Sequence, residues 1–218
     1  MSVVIAVDGP AASGKGTLAR RLATAYGFAH LDTGRLYRAA AKIAQDDGVD
    51  PRDPTSAVAA ARRAVDADLA DPALGAETVA RDASIIAAIP EARTALLDAQ
   101  RGFCDAPPGG VPGAVLDGRD IATVVRPEAE VKLFIDASVE IRAQRRFAEL
   151  REKDDACTYA AVERDLRNRD ARDADRAVAP LVIAQDAFVI QTDALDADAV
   201  FAAALSFVRS RIGPPLQG

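Results

Sequence analysis

Residues 9–17 read Gly9-Pro10-Ala11-Ala12-Ser13-Gly14-Lys15-Gly16-Thr17. Glycines at 9 and 14, the second followed by lysine, let backbone N–H groups curl around phosphate oxygens while Lys15 neutralises the charge between them. Gly16 stands where the strict pattern carries Ser or Thr, and the hydroxyl arrives one place later at Thr17. That spelling favours the loop of a nucleotide kinase over that of a switch GTPase. A second set, Asp32-Thr33-Gly34-Arg35-Leu36-Tyr37-Arg38, brings Thr33, Tyr37 and, just past one helical turn, Arg38 toward one ligand. An arginine so placed suits a monophosphate. A third set, Asp117-Gly118-Arg119-Asp120, offers a tight turn at Gly118, a fork donor in Arg119 and an acceptor in Asp120. Taken alone, the second set also reads as a solvated helix start with Tyr37 in the core, and the third as a common surface turn.

These sets need elements to hold them. Met1 to Asp8 is mostly β-branched and apolar without strict alternation, as in a strand buried on both faces. The glycine loop follows, and then Leu18, Ala19, Leu22, Ala25 and Tyr26 recur at helical spacing from Lys15. A short apolar stretch, Phe28 to Leu31, ends at Asp32, and Thr33 is placed to cap a helix running to about Asp47. Helices are expected near Thr55 to Leu69, Thr78 to Ala88 and Pro90 to Phe103, the last with proline in its first turn. Pro72 and Gly75 separate the first two, and no strand is expected among them. Ala106 to Gly113 is a loop by composition. Strand signals return at Ala114 to Leu116, Val131 to Ile135 and Ala187 to Ile190, with Ser138 capping a helix and a final helix from Ala197 to Ile212. Between Arg164 and Arg176 lie five Arg and four Asp in thirteen residues. Five strand signals alternating with helices predict an α/β fold: a three-layer arrangement with a five-stranded parallel sheet, helices on both faces, and ligand at the carboxyl edge.

Composition narrows the function classes. The 218 residues suffice for one large domain with a substantial core. Half the residues are hydrophobic, but 49 are Ala, which points to Ala-rich helix faces and against an all-β fold. A net charge of −6 argues against a broad basic face for a nucleic-acid polymer or an anionic membrane, so any anionic ligand must be met locally. The longest apolar run, Ala199 to Leu205, falls far short of a membrane span, and no charged segment precedes an apolar one at Met1, so a cytoplasmic location is expected. Only four of 27 cations are Lys, which makes guanidinium forks the main anion-binding resource, though coding bias alone also produces such a ratio. Cys104 and Cys157 lie far apart with His30 the one histidine, and all three are read as structural.

Together these residues resemble the bacterial cytidylate kinases, within the nucleoside monophosphate kinase family, over most of the chain. The resemblance rests on Asp8 to Thr17, Asp32 to Arg38, Gly118 to Val125, Lys132 to Ser138 and Arg169 to Leu181; adenylate kinases share the first motif but not the last three. It implies transfer of the ATP γ-phosphate to CMP or dCMP with Mg²⁺, on a P-loop NTPase core with an Arg-rich lid and a nucleotide-binding insert. The divisions expected are a core of residues 1–48, 104–148 and 177–218, an insert of 49–103 and a lid of 149–176. By the same resemblance residues 9–17 hold the ATP phosphates, with Lys15 on the transferring group. Arg38, Arg119 and Arg176 clamp the CMP phosphate beside Thr33 and Tyr37. Ser84, Arg93 and Asp120 read cytosine, whose amino group donates and whose ring nitrogen and carbonyl accept. Asp173 and Arg169 meet the ribose hydroxyls. At least one of Arg142, Arg145 and Arg146 faces ATP. Mg²⁺ is expected to arrive with ATP, Thr17 being the hydroxyl within reach and no side chain being assigned as its direct ligand. A monomer without polymer or membrane partners is expected. The chain departs from the family between Val49 and Ser84, where a strand-rich insert is replaced by a shorter helical stretch and Gly75 stands where an Arg usually precedes the helix. A UMP or AMP kinase, and a P-loop binding protein without transfer, are the readings left beside the first.

Overall fold

The computed structural model describes residues 2–152, 157–176 and 178–215. Residues 153–156 of the expected lid, and Ala177 within the Arg169 to Leu181 motif, lie outside them. Strand β1 (Val3–Asp8) is central because its residues are apolar on both faces. It pairs in parallel with β3 (Gly113–Gly118), Val3 opposite Gly113 and Asp8 opposite Gly118, and with β4 (Val131–Asp136) on its other side. β2 (Ala29–Asp32) and β5 (Phe188–Gln191) form the edges of a five-stranded, all-parallel sheet ordered β2-β3-β1-β4-β5. This register sets Asp8, Asp32 and Asp117 side by side at one end of the sheet.

Alternate β1 side chains feed two cores. Val4 and Ala6 face α2 (Thr33–Asp46), α3 (Pro54–Ala64), α4 (Glu77–Ile86) and α5 (Pro90–Asp105); Ile5 and Val7 face α1 (Lys15–Tyr26) and α8 (Ala197–Ile212). The three layers expected from strand and helix alternation are therefore present. Alanine does much of the packing on the first side: Ala39, Ala40, Ala41 and Ala44 of α2 are buried with Ala57, Ala60, Ala61 and Ala64 of α3, small side chains that let the helices pack tightly. Residues 49–103 hold α3, a short 3₁₀ turn at Pro72–Gly75, α4 and α5, with no strand.

Local chemistry moved several boundaries. Thr33 is not the cap of α2; Asp32 occupies the N-cap position, and Thr33, the first helical residue, donates its hydroxyl to the Asp117 carbonyl at 2.8 Å. The helix expected to reach Leu69 ends at Ala64. Beyond it the side chains of Asp68 and Asp71 accept from the backbone N–H groups of Ala70 and Ala73, local bonds that compete with helix continuation. Asp53 caps α3 by accepting from Ser56 N–H, Pro90 opens α5, and Ser138 caps α6 (Val139–Arg151). Cys104 is fully buried, which pushes its thiol up to about 11 and suits a structural role. Cys157 is half-buried and lines the cleft described below.

Helix α7 (Tyr159–Ala174) is lightly anchored. Only Val162, Leu166 and Asp173 on it are buried, the first two in a small cluster with Ala143 of α6 and Ala11 and the third on Arg119 and Arg176, while Tyr159 meets Phe147 edge-on at 6.1 Å between ring centres. A helix with so little buried apolar surface opens locally at low cost. Its amides are expected to exchange with solvent faster than those of α1 and α8, and to slow when ATP and CMP analogues are both present. Hydrogen exchange by mass spectrometry checks this, and equal exchange with and without both ligands would contradict it.

Candidate active site

The glycine loop leaves β1 at Asp8 and must pass the end of β4. Gly9 has φ +152°, and a Cβ there would lie 2.1 Å from the Ile135 carbonyl oxygen, so only glycine fits. Ala12, with φ 60°, holds a left-handed conformation that costs energy in a non-glycine residue. Lys15 opens α1, and its Nζ donates to the Pro10 carbonyl at 3.4 Å. Burial, and next the Arg119 guanidinium, draw its ammonium down to about 7, with Asp117 and Asp32 pulling the other way. A bound polyphosphate would reverse that pull by adding negative charge.

Beside Lys15 the arginines converge. Arg119, after β3, donates Nε–H to Asp173 Oδ2 at 2.8 Å, and Arg176 donates to Asp173 Oδ1. Arg38 reaches from α2 to the Leu74 carbonyl at 2.8 Å. Among the described residues the buried Nε atoms of Arg169 and Arg176 have no hydrogen-bond partner. Burial, followed by the charge of Arg119, pulls Arg169 down to about 9, and burial also lowers Arg38 and Arg176. Against burial, which alone would raise it, Arg119, Arg176 and Arg169 hold the Asp173 carboxyl below its usual range. Crowded like charges and unpartnered donors are what a phosphate dianion would satisfy.

At the other end of the cleft, Tyr37 is buried beneath Arg93, whose guanidinium carbon lies 5.6 Å from the ring centre. Arg93 donates to the Ala87 carbonyl at 3.1 Å and pairs with Asp120 Oδ2, both side chains being under a tenth exposed. Ser84 Oγ accepts from Arg172 Nε at 3.1 Å. Gly118 lets Thr33 and Ile121 pack directly on the end of β3, since a Cβ there would fall 2.6 Å from Thr33 Oγ1.

One cleft of about 1080 Å³ at the carboxyl edge joins both ends. Of the residues singled out in the sequence, Ala11, Ala12, Gly14, Lys15, Gly16, Thr17, Thr33, Tyr37, Arg38, Ser84, Arg93, Arg119, Asp120, Arg169 and Arg176 line it. Gly9, Pro10, Ser13 and Asp173 do not: Gly9 packs on β4, Ser13 is buried, and Asp173, 1% exposed, stands behind its arginines. Arg142 is turned away, its fork on Asp170 at 3.1 and 2.6 Å and on the Ala137 and Ala11 carbonyls. Arg145 and Arg146 line the cleft, Arg145 held by Thr192 and Arg146 by Glu149 and Glu77. His30, read as a structural residue, bonds Asp117 Oδ1 through Nε2 at 2.8 Å.

Sequence reasoning placed Asp32 and Asp117 in its second and third sets without giving either a role, and missed Arg172; all three line the cleft. The two aspartates carried a signal, as each ends an apolar strand run at the carboxyl edge. Arg172 carried none, being one Arg in an Arg-Asp stretch whose cleft-facing side depends on how α7 rotates. Among the described residues no group of three His, Cys, Asp or Glu is spaced to hold a metal ion. Thr17, Asp32 and Asp117 line the cleft with Lys15, the two aspartates close enough to act on its charge, and their oxygens fit a cation carried in by phosphates.

A parallel sheet with a glycine loop after its central strand, and cations gathered at its carboxyl edge, defines a P-loop protein of the nucleotide-kinase type. The family model described as cytidylate kinase matches residues 5–210. Curated proteins named cytidylate kinase are similar over nearly the whole length. That of Rhodospirillum rubrum is 56% identical over 206 residues, 94% of this chain and 97% of the relative. That of Paramagnetospirillum magneticum is 57% identical over 211 residues, 97% of this chain and 100% of the relative. A solved structure of an uncharacterized protein from Eubacterium ventriosum shares the fold, with a TM-score of 0.57 at 13% identity, covering 97% of this chain and 100% of that one. The chain belongs to the cytidylate kinase family.

Asp173→Asn would leave Arg119, Arg169 and Arg176 without their shared carboxylate. Loss of one partner of a buried pair costs about 3–5 kcal/mol, so urea unfolding at pH 7 is expected to show a loss of that order, part of it recovered by inorganic phosphate. Because the folded carboxyl lies below its ordinary 3.8, its contribution is present above that pH and lost as the pH falls through the folded value. Wild type and variant are therefore expected to converge in stability in acid. A gap that persists there would contradict the assignment.

Proposed function

We propose that the protein transfers the γ-phosphoryl group of ATP to CMP, and to dCMP, yielding ADP and CDP or dCDP. The observation that carries this reading is the convergence of Lys15, Arg38, Arg119, Arg169 and Arg176 between the glycine loop and the pocket of Tyr37, Arg93 and Asp120. A phosphate donor at the loop and a nucleoside monophosphate at Arg93 would meet at that cluster.

Transfer between them is in-line, so no side chain needs to bond to phosphorus; positioning and charge neutralisation supply the acceleration. Residues 11–17 cradle the donor phosphates, and Lys15 faces the group in transit. Arg38, Arg119 and Arg176 hold the acceptor phosphate, with Thr33 and Tyr37 shaping the wall beneath it. Asp173 orients Arg119 and Arg176 and leaves their remaining N–H groups for phosphate oxygens. Arg169, on α7, covers the ribose side. When bound with ATP, Mg²⁺ draws off charge from the phosphate oxygens, and Thr17, Asp32 and Asp117 are the residues placed to hold its water shell. Asp120 keeps one carboxylate oxygen beyond its bond to Arg93, an acceptor suited to the cytosine amino group, and Arg93 supplies donors for the ring acceptors.

A coupled assay for ADP formation with CMP, dCMP, UMP and AMP tests the reading, and equal turnover of all four, or of none, would defeat it. Lys15→Ala is expected to lower kcat by about 10² to 10³ with the fold intact by circular dichroism, since it removes charge stabilisation in the transition state. Asp120→Asn removes the acceptor that distinguishes the cytosine amino group from the uracil carbonyl. The ratio of CMP to UMP efficiency is expected to shrink by roughly tenfold or more, the worth of an unmatched buried polar contact. An unchanged ratio with lower overall activity would mean that Asp120 only holds Arg93.

A further inference from the structure

Arg172 sits on α7, and among the described residues it forms no ion pair in a chain with 33 acidic side chains. Arg167, five residues earlier on the same helix, pairs with Glu140 and Glu163. Arg172 instead crosses the cleft and donates its Nε–H to a neutral hydroxyl, Ser84 Oγ on α4, at 3.1 Å. Ser84 is 2% exposed and faces the cleft beside Arg93. A hydroxyl has one proton to give and two lone pairs to accept with. With a lone pair taken by Arg172, and with no protein acceptor for its proton among the described residues, the Ser84 O–H is left to point at a ligand.

We propose that Arg172 is a positioning residue for base recognition: by occupying the Ser84 oxygen it fixes that hydroxyl as a donor toward an acceptor on the pyrimidine edge. The same bond ties α7 to α4 only when the hydroxyl is so turned, so seating of the base and closure of α7 reinforce one another. The other arginine bridge to α4, from Arg146 of α6 to Glu77, ends on an exposed glutamate and carries no information about the base. The proposal rests on the reading that CMP occupies the Arg93 end of the cleft.

Steady-state kinetics on Arg172→Ala, Arg172→Lys, Ser84→Ala and the double variant Arg172→Ala with Ser84→Ala test it. A hydrogen bond from a charged donor justifies an expected rise of about tenfold in KM for CMP in each single variant, with KM for ATP unchanged. Arg172→Lys keeps the charge but lacks the planar Nε–H, and is expected to behave as Arg172→Ala. The double variant is expected to be no worse than either single one, because Arg172 has nothing left to act through. Ser84→Thr, which keeps the hydroxyl, is expected to preserve the dependence on Arg172. Calorimetric titration of CMP onto each variant, after a thermal melt shows it folded, separates lost binding from lost structure. Additive effects in the double variant, full rescue by lysine, or an equal rise in KM for ATP would overturn the proposal while leaving the base site standing. An unchanged KM for CMP in Ser84→Ala would overturn both this proposal and the assignment of Ser84 to the base, and retained selectivity for CMP over UMP would then rest on Arg93 and Asp120 alone.

Discussion

Positive charge held against its own repulsion governs this structure. In a chain of net charge −6, Lys15, Arg38, Arg119, Arg169 and Arg176 share one small volume in which Asp173 is the carboxylate bonded to two of them. Unfolded, these groups would separate into water; folded, they lose hydration and face one another, which is why Lys15 and Arg169 are drawn down so far. The two apolar cores on either side of the sheet must outweigh that cost. In return, charge developing on a transferring phosphoryl group meets donors already in place, and little rearrangement is needed as the reaction proceeds.

The sheet is what makes that arrangement possible. Parallel pairing in register ends β1, β2 and β3 together, so the loop after each starts from a common line. Asp8 then ties two of those loops to each other: the last residue of β1, it accepts from the backbone N–H groups of Ile121 and Ala122 at 2.9 and 2.8 Å. Burial pushes its carboxyl up to about 6 despite both bonds, a cost that binds the start of the glycine loop to the turn carrying Arg119 and Asp120. Thr33 makes the matching link from α2 to the Asp117 carbonyl. The glycine loop, the turn carrying Arg119 and Asp120, and the start of α2 are thus fastened together through backbone groups rather than through long side chains alone.

Period and punctuation made most of the fold legible. A buried strand, a glycine turn and a helix starting at Lys15 can be read in order because each has its own local signature, and the helix bounds of α1 and α8 agree with the structure. Where aspartates offered the backbone local bonds, as after Ala64, reading by periodicity ran too far. In the site, residues flanking strand ends were legible because topology fixes where a strand end goes. Residues whose part depends on helix rotation were not. Arg142, Arg145, Arg146 and Arg172 look alike in sequence, yet one is buried on Asp170, one is tied to Thr192, one bridges to Glu77 and one meets Ser84. Asp173, expected at the ribose hydroxyls from the resemblance alone, is also held by the packing of α7 against Arg119 and Arg176, a pairing that its spacing in the sequence did not reveal.

If the proposed base site is right, the Arg93–Asp120 pair joins stability to selectivity. Arg93 comes from α5, in the helical stretch of residues 49–103, and Asp120 from the turn after β3, so their bond is also a seam between that stretch and the sheet. Two charges buried together repay their lost hydration only through good mutual geometry and further hydrogen bonds. A ring entering beside them can be accepted only if it replaces, edge for edge, whatever bonds it displaces. Cytosine offers a donor to the acid and acceptors to the guanidinium, whereas uracil sets a carbonyl against the carboxylate. On the proposed reading a mismatched base would disturb the seam itself, and discrimination would come from a contact the protein needs in order to hold its helices against its sheet.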